Sequence, residues 1–301
     1  MPTRKIGRAS GSSSRVEHRT LTITTLGKFA CRFGTREIRI ASRKSCALLG
    51  YLAISRSEAE TRERLVGLLW SESEEERARA SLRQALHEIR EAFNRAGFDG
   101  LRADKLSIAF DRTRIEVDLA SVLQHAAERR PHPVLLAGRR QIETLLDTFE
   151  TIDPAFRVWL LATRQSLHDR IAGLLAQALH LPEMDAGGKA EAAQALLNLD
   201  PTHEEACRFL IRARVAAGDI GSALRIYKTL WDLLDTEYDI EPSKETQELI
   251  AAVKMAQPSD TDARPVSAGN LVPAVGPQPI AIAPILLIPS GKTEPCPLTG
   301  T

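Results

Sequence analysis

The sequence predicts a mainly α-helical fold with a small β part, arranged as two successive domains. Three short segments in which apolar and polar residues alternate precede the first helix, as in β-strands. Three amphipathic helices and a β-hairpin follow, and residues 118–256 contain only helical patterns separated by Gly- and Pro-containing breaks. The order of strands, three helices and hairpin is that of a winged helix-turn-helix. The second part predicts an all-α domain of tetratricopeptide-like helical repeats.

The N-terminal elements can be placed from their turn and capping residues. Residues 1–20 hold few apolar side chains and many Ser, Gly and Arg, which predicts a disordered basic arm. Gly27 and Gly34 separate the members of a predicted antiparallel meander. Ser42 and Thr61 are predicted to cap the first two helices, and Ser73 with Glu76 forms a predicted capping box for the third. The predicted strands are 21–26, 29–33 and 37–40, and the predicted helices are 42–55, 62–70 and 73–93.

After breaks at Gly97 and Gly100, residues 101–103 and 106–110 are predicted to pair across Asp104-Lys105 as the wing, and 114–117 forms another short strand. Seven helical segments are predicted beyond it: 118–129, 138–148, 154–180, 189–199, 202–217, 220–236 and 243–255. The stretch LDPTHEEACRFLIRARVAAGDIGSALRIYKTL is the clearest repeat, because a Gly-Asp turn joins two helices with small residues at their contacts. A non-repeating helical bundle is the alternative.

The third helix has two contrasting sides. Its apolar side is formed by Ala78, Leu82, Ala85, Leu86, Ile89 and Phe93, at helical spacing. The opposite side carries Arg77, Ala80, Ser81, Gln84, His87 and Glu88, with Arg83 on its flank. Arg binds guanine edges and Gln binds adenine edges, so this side suits the major groove. Taken alone, an ordinary solvated surface helix is the commoner explanation. Its place after a sheet and two helices, and before a hairpin, favours a recognition helix.

Charge is distributed unevenly along the 301 residues. The formal net charge is only +1, but residues 1–117 hold 23 Lys and Arg against 15 Asp and Glu. The remainder holds 17 against 24. A polyanion is therefore expected to meet the first part of the chain.

Several function classes lack support in the sequence. The four cysteines form no metal-ligand spacing, and no hydrolase, dinucleotide-binding or paired-carboxylate motif is present. We therefore expect no enzymatic activity, no cofactor and no metal. The basic N-terminus lacks the apolar segment of a signal peptide, and no segment has the length of a membrane helix, so a cytoplasmic location without membrane attachment is expected.

Residues 257–301 hold 9 of the 16 prolines and predict a mostly disordered, Pro-rich tail. The segment IAPILLIPSGKT superficially suggests a strand and phosphate loop, but Leu286 stands where the motif needs Gly, so we reject a nucleotide site. A truncated third domain is an alternative interpretation of this tail.

Three stretches resemble the SARP-type bacterial transcriptional regulators. They are RKSCALLGYLA, RERLVGLLWSESEEERARASLRQALHEIR, and the segment from DPTHEEACRFLIRARVAAGDIG to IEPSKETQELI. That family joins a response-regulator-like winged helix, as found in phosphorelay effectors, to a bacterial transcriptional activator domain (BTAD). On this resemblance, residues 21–117 are the winged-helix domain and 118–256 the BTAD.

The resemblance implies a sequence-specific transcriptional activator whose partners are double-stranded promoter DNA and RNA polymerase. A homodimer on DNA repeats is compatible with it. The recognition-helix residues would be Arg77, Ser81, Arg83, Gln84 and His87. Phosphate contacts would come from Arg43, Lys44, Arg62, Arg64, Arg102 and Lys105. Two alternatives stay open: a tetratricopeptide-like protein-interaction scaffold, and a regulatory fragment of a larger multidomain signalling protein.

Overall fold

The computed structural model of the chain describes residues 20–256. The predicted basic arm, apart from its last residue, and the predicted Pro-rich tail lie outside the described residues. Within 20–256 the predicted fold class, a small β part followed by an all-α domain, is confirmed. No helix in this range is long and apolar enough to cross a membrane.

The predicted N-terminal meander forms a four-stranded sheet. Its members are β1 (Leu21–Thr24), β2 (Ala30–Phe33), β3 (Arg36–Glu37) and β7 (Ile115–Val117), in the order β3-β2-β1-β7. The last strand pairs parallel to β1, with Ile23 opposite Val117. This pairing brings the end of the winged-helix segment back to its start.

A second sheet contains the predicted wing and one strand that the sequence analysis missed. The wing strands β5 (Leu101–Ala103) and β6 (Ser107–Phe110) pair antiparallel as predicted. The missed strand is β4 (Ala59–Thr61), which pairs with β6 and gives the order β4-β6-β5. Because β4 leads directly into the second helix, the wing is hydrogen-bonded to the start of that helix.

The three helices of the winged-helix segment are α1 (Arg43–Ile54), α2 (Arg62–Leu69) and α3 (Glu75–Ala96). The predicted caps of the first two are confirmed. Ser42 Oγ accepts from the Ser45 N–H at 3.3 Å, and Thr61 Oγ1 accepts from the Arg64 N–H at 3.2 Å. Each cap supplies an acceptor to a backbone donor that the helix itself leaves unpaired.

The predicted capping box of α3 is wrong. The helix starts at Glu75, with Glu74 as N-cap residue and no side-chain cap bond. The reason is that Ser73 belongs to the turn after α2, where its N–H donates to the Trp70 carbonyl at 3.1 Å. The helix also runs beyond the predicted end at Phe93 to Ala96, and it stops at Gly97, which adopts the left-handed conformation with φ 85°.

Helices then follow almost without interruption. They are α4 (Asp118–Ala127), α5 (Pro133–Ala137), α6 (Pro154–Leu179), α7 (Ala186–Leu199), α8 (Glu204–Ala216), α9 (Ile220–Tyr238) and α10 (Lys244–Met255). The turn between α8 and α9 is the predicted Gly-Asp turn: Gly218 has φ 76° and Asp219 caps α9 by accepting from the Ser222 N–H. The predicted start of this helix at residue 189 is wrong, since Asp185 caps a helix that already includes Gly187 and Gly188.

The predicted helix 138–148 is also wrong. This stretch contains two short 3-10 turns, Gln141–Thr144 and Asp147–Phe149. Between them Leu145 and Leu146 are fully buried, and the Leu146 N–H donates to the Thr25 carbonyl at 2.9 Å. Backbone pairing with the loop after β1 therefore replaces the local helical hydrogen bonds.

One hydrophobic core runs from Leu21 to Leu210 and crosses the junction at residue 118 without interruption. Helix α6 packs against α2, and Trp159 lies edge-on to Tyr51 at 4.8 Å between ring centroids. Phe156, which contacts Trp159, is fully buried. We call this region, where α6 meets α1 and α2, the seam. A separate small core joins α8, α9 and α10.

Candidate nucleic-acid interface

The exposed face of α3 carries most of the predicted recognition residues. Arg77, Arg83, Gln84 and His87 are exposed, whereas Ser81 is half-buried. At 100° per residue the middle of the exposed arc falls near Arg83 and His87, and Ser81 lies at its edge. The structure thus brings Arg83 from the flank of the predicted face to its centre.

The arginines of α3 differ in whether they are already engaged. Arg79 forms an ion pair with Glu75 one turn earlier, and Arg90 donates to the Ala103 carbonyl of the wing at 2.9 Å. Arg77 and Arg83 have no ion-pair or hydrogen-bond partner within residues 20–256. Their guanidinium groups are solvated donors that can bind a ligand without breaking an internal contact.

Glu88 does not belong to the outward face on which the sequence analysis placed it. Its carboxylate accepts from the Ser45 hydroxyl at 2.6 Å and from the N–H groups of Ala41 and Ser42. Burial by itself would raise the pKa of Glu88, but these hydrogen bonds outweigh it and hold the pKa below its usual value. Glu88 therefore joins α3 to the start of α1.

The wing is held in a fixed position beside α3. Arg90 binds it from α3, and Arg62 Nε donates from the start of α2 to the Asp104 carbonyl at 2.9 Å. The Asp104 carboxylate closes the hairpin turn by accepting from the N–H groups of Ser107 and Leu106, which lowers the pKa of Asp104. Lys105 is exposed at this turn. Arg102 is exposed on β5.

Besides Arg62, three predicted phosphate-binding residues donate to groups within the protein. Arg43 donates to the Thr148 carbonyl. Lys44 Nζ donates to the Leu69 carbonyl at 2.7 Å and lies 5.4 Å from the centre of the Trp70 ring. Arg64 Nε donates to the Tyr51 hydroxyl at 2.9 Å and lies 3.5 Å from the Glu60 carboxylate. The predicted set thus divides into Arg62, Arg102 and Lys105 near the wing and these three along α1 and α2.

The turn between α2 and α3 is attached to the helical domain. Ser71 donates through its N–H at 3.0 Å and its hydroxyl at 2.6 Å to the carboxylate of Asp153, which is only 5% exposed. Asp153 also caps α6 by accepting from the Ala155 N–H. One buried carboxylate therefore fixes the helix-turn-helix against α6.

Sequence reasoning missed Arg90, Glu88 and Asp153 as positioning residues. Arg90 and Glu88 looked like ordinary charges of an amphipathic helix. Asp153 did carry a signal, since Asp before Pro154 is typical of a helix start. Its bond to Ser71 had no counterpart in the local sequence. Among residues 20–256 no cluster of His, Cys, Asp and Glu is suited to hold a metal ion.

Comparisons with known proteins bear on this arrangement. The family model described as bacterial transcriptional activator domain (BTAD) matches residues 148–254. Among solved structures, EmbR of Mycobacterium tuberculosis, in complex with a low-affinity phosphopeptide, matches with a TM-score of 0.55 at 21% sequence identity. The match covers 80% of this chain and 67% of that chain. No curated protein sequence matches the chain.

These findings confirm the resemblance to SARP-type regulators at the level of domain and fold. Residues 148–254 resemble a bacterial transcriptional activator domain. The match begins just before α6, within the range 118–256 assigned from the sequence. The described chain shares its fold with EmbR.

Proposed function

We propose that this protein is a sequence-specific DNA-binding transcriptional regulator that activates promoters, and that it works in the cytoplasm. Helix α3 enters the major groove, and Arg77, Arg83, Gln84 and His87 contact base edges or phosphates there. Arg62, Arg102 and Lys105 contact phosphates beside the wing. The domain name that the family model carries supports a role in transcription.

The observation that carries this proposal is the state of the side chains on α3. Arg77 and Arg83 are exposed and have no hydrogen-bond or ion-pair partner within the described residues. Gln84 and His87 are exposed on the same helix. A solvated surface helix commonly pairs its charges along the helix, as Arg79 and Glu75 do. Two unengaged guanidinium groups beside an amide, next to a fixed wing, match what a duplex presents: base edges flanked by phosphates.

The test is selection of bound duplexes from a random DNA pool by the full chain, followed by gel shifts at several salt concentrations. We expect an enriched sequence and an affinity that falls as salt rises, because phosphate contacts release counterions. Arg77→Ala and Gln84→Ala should each weaken binding to the selected site by about 1–3 kcal/mol and relax the preference at one base pair.

Arg170→Ala is the matched control, since Arg170 is exposed on α6 far along the chain from α3. It should leave the selected sequence unchanged. If no sequence is enriched and binding does not depend on salt, the protein-interaction scaffold becomes the better explanation of the helical domain.

The helical domain is proposed to contact RNA polymerase. Two apolar side chains of α6 support a protein contact here: Val158 is 70% exposed and Leu161 is 46% exposed. Val158→Asp should lower activated transcription from a selected site in a purified system while leaving DNA affinity unchanged. Equal activation by this variant and the unaltered chain would show that this part of α6 does not contact RNA polymerase.

A homodimer on DNA repeats would appear in the gel shifts described above as a second, slower complex on two half-sites.

A further inference from the structure

A cavity of about 480 Å³ opens along the seam. Helices α1, α4 and α6 supply an apolar lining that includes Tyr51, Ile54, Leu119, Leu123, Trp159 and Leu167. Its volume lies in the range of small-molecule sites, which often form where two modules meet. None of the residues proposed above to contact DNA lines this space.

The rim of the cavity is basic. Arg56, Arg64 and Arg112 line it, together with the hydroxyl-bearing side chains of Thr163 and Ser166. No Asp or Glu lines it. An apolar interior under three guanidinium groups selects a ligand with an apolar body and a negative charge at one end.

The guanidinium groups keep donors for such a ligand. Arg56 is exposed and has no hydrogen-bond or ion-pair partner within residues 20–256. Arg112 uses one terminal nitrogen for the carbonyls of Ser55 and Ser57. Arg64 uses Nε for Tyr51 and for its approach to Glu60. Since each guanidinium has five N–H donors, the remaining ones can bind a carboxylate, sulfonate or phosphate.

We propose that this cavity is a binding site for a small amphipathic organic anion, held by its apolar body between α1, α4 and α6 and by its charged end at Arg56, Arg64 and Arg112. The occupant is a free small molecule rather than DNA, because the lining is largely apolar and Ala, Leu and Trp side chains form its floor.

The same cavity reaches the wing through one buried residue. Glu60, 5% exposed, accepts from the Ser55 hydroxyl and lies beside Arg64. Glu60 belongs to β4 and stands opposite Ile108 of the wing strand β6. An anion that draws Arg64 away would leave the Glu60 carboxylate with fewer partners, so binding is expected to act on the pairing of β4 with the wing.

The test uses the full chain and a defined probe, the fluorescent anion 8-anilinonaphthalene-1-sulfonate. The neutral N-phenyl-1-naphthylamine, which lacks the sulfonate, is the matched probe. We expect saturable binding of one anion per chain. Arg56→Ala combined with Arg112→Ala should weaken binding of the anion by about five-fold or more, as expected for two partly exposed charge contacts, and change binding of the neutral probe much less. Arg170→Ala is the charge control and should change neither.

A bulky side chain placed inside the cavity shows whether the anion binds there or at another apolar surface. Ala162 is exposed and lines the cavity, so Ala162→Trp should abolish binding of the anion without disturbing the core. Gly173, also exposed on α6, does not line the cavity and a side chain there meets no neighbour, so Gly173→Trp should bind like the unaltered chain. Ser166→Trp is a second filling variant if Ala162→Trp does not fold, as judged by circular dichroism. Equal binding by a folded filling variant, absence of saturable binding, or equal loss of both probes in the arginine variant would each overturn the proposal.

Discussion

The outer face of α3 and the seam are both rich in arginine, but their arginines differ in what they contact. On α3, Arg77 and Arg83 are exposed and unengaged within the described residues. Along α1 and α2, Arg43 and Arg64 donate to groups of the protein itself, and Lys44 does the same. Sequence alone assigned all five to DNA.

A binding face is therefore expected to differ from a structural one in how many of its guanidinium and ammonium groups lack an internal partner, and not in its number of positive charges. A guanidinium that already donates to a carbonyl or hydroxyl must give up that bond before it can bind phosphate. A solvated guanidinium has no such cost. If the seam is structural and the α3 face is not, substitutions at the seam should change stability and substitutions on α3 should change DNA affinity.

The largest effect is expected at the seam. Phe156→Ala removes a fully buried ring that packs against Trp159, and it should lower the free energy of unfolding by about 3–5 kcal/mol. Because one core spans both modules, the residues of that core, from Leu21 to Leu210, should unfold in a single urea transition when it is followed by circular dichroism. Val158→Ala, on the exposed side of the same helix, should change stability by less than about 0.5 kcal/mol. Two separate transitions would show that the modules fold independently.

The second effect contrasts two arginines of one helix. Arg83→Ala should weaken binding to a selected DNA site by about 1–3 kcal/mol while changing stability by less than about 0.5 kcal/mol. Arg79→Ala, which removes a residue already paired with Glu75, should change DNA affinity much less. Fluorescence anisotropy of a labelled duplex measures both. Equal losses for the two variants would mean that engagement with Glu75 does not decide availability.

The third effect is a pH dependence caused by Glu88. Its pKa in the folded chain is below the usual value, so its carboxylate stabilises the fold above the unfolded pKa of about 4.3, and this stabilisation is lost as the pH falls through the folded pKa. Glu88→Gln should therefore be less stable than the unaltered chain at pH 7, with the difference shrinking below about pH 4. Urea midpoints across pH measure this. Glu76→Gln, an exposed glutamate of the same helix, is the control. A difference that does not vary with pH would contradict the assignment.

The smallest effect is expected at the wing. Lys105→Ala removes one exposed charge at the hairpin turn and should weaken binding to all DNA sequences alike, reducing the slope of log affinity against log salt by about one. A changed sequence preference would instead place Lys105 against a base edge. Gel shifts with selected and unrelated duplexes distinguish these outcomes.

The fold was predictable to the extent that its signals are local. Ser42 and Thr61 identified two helix starts, and Gly97 identified the break after α3, although the helix itself was predicted to end at Phe93. The missed features have a common cause. Strand β4 depends on pairing with β6, and the 3-10 turns near Leu146 depend on pairing with Thr25. In both cases the partner lies far away in the sequence, so the local pattern of residues does not predict the pairing.

The sequence by itself determined the order of elements, the apolar side of α3 and most helix ends, because helical spacing and capping are encoded within about four residues. Only the tertiary structure decided which charges remain free. Glu88 turns inward because α1 starts beside it, Arg64 turns to Tyr51, and Asp153 binds Ser71 across 82 positions of the chain. Such contacts depend on how distant segments pack, so they cannot be predicted from the residues that neighbour a side chain in the sequence. The exposed face of α3, which we propose binds DNA, therefore consists of side chains that neither the core nor the seam engages.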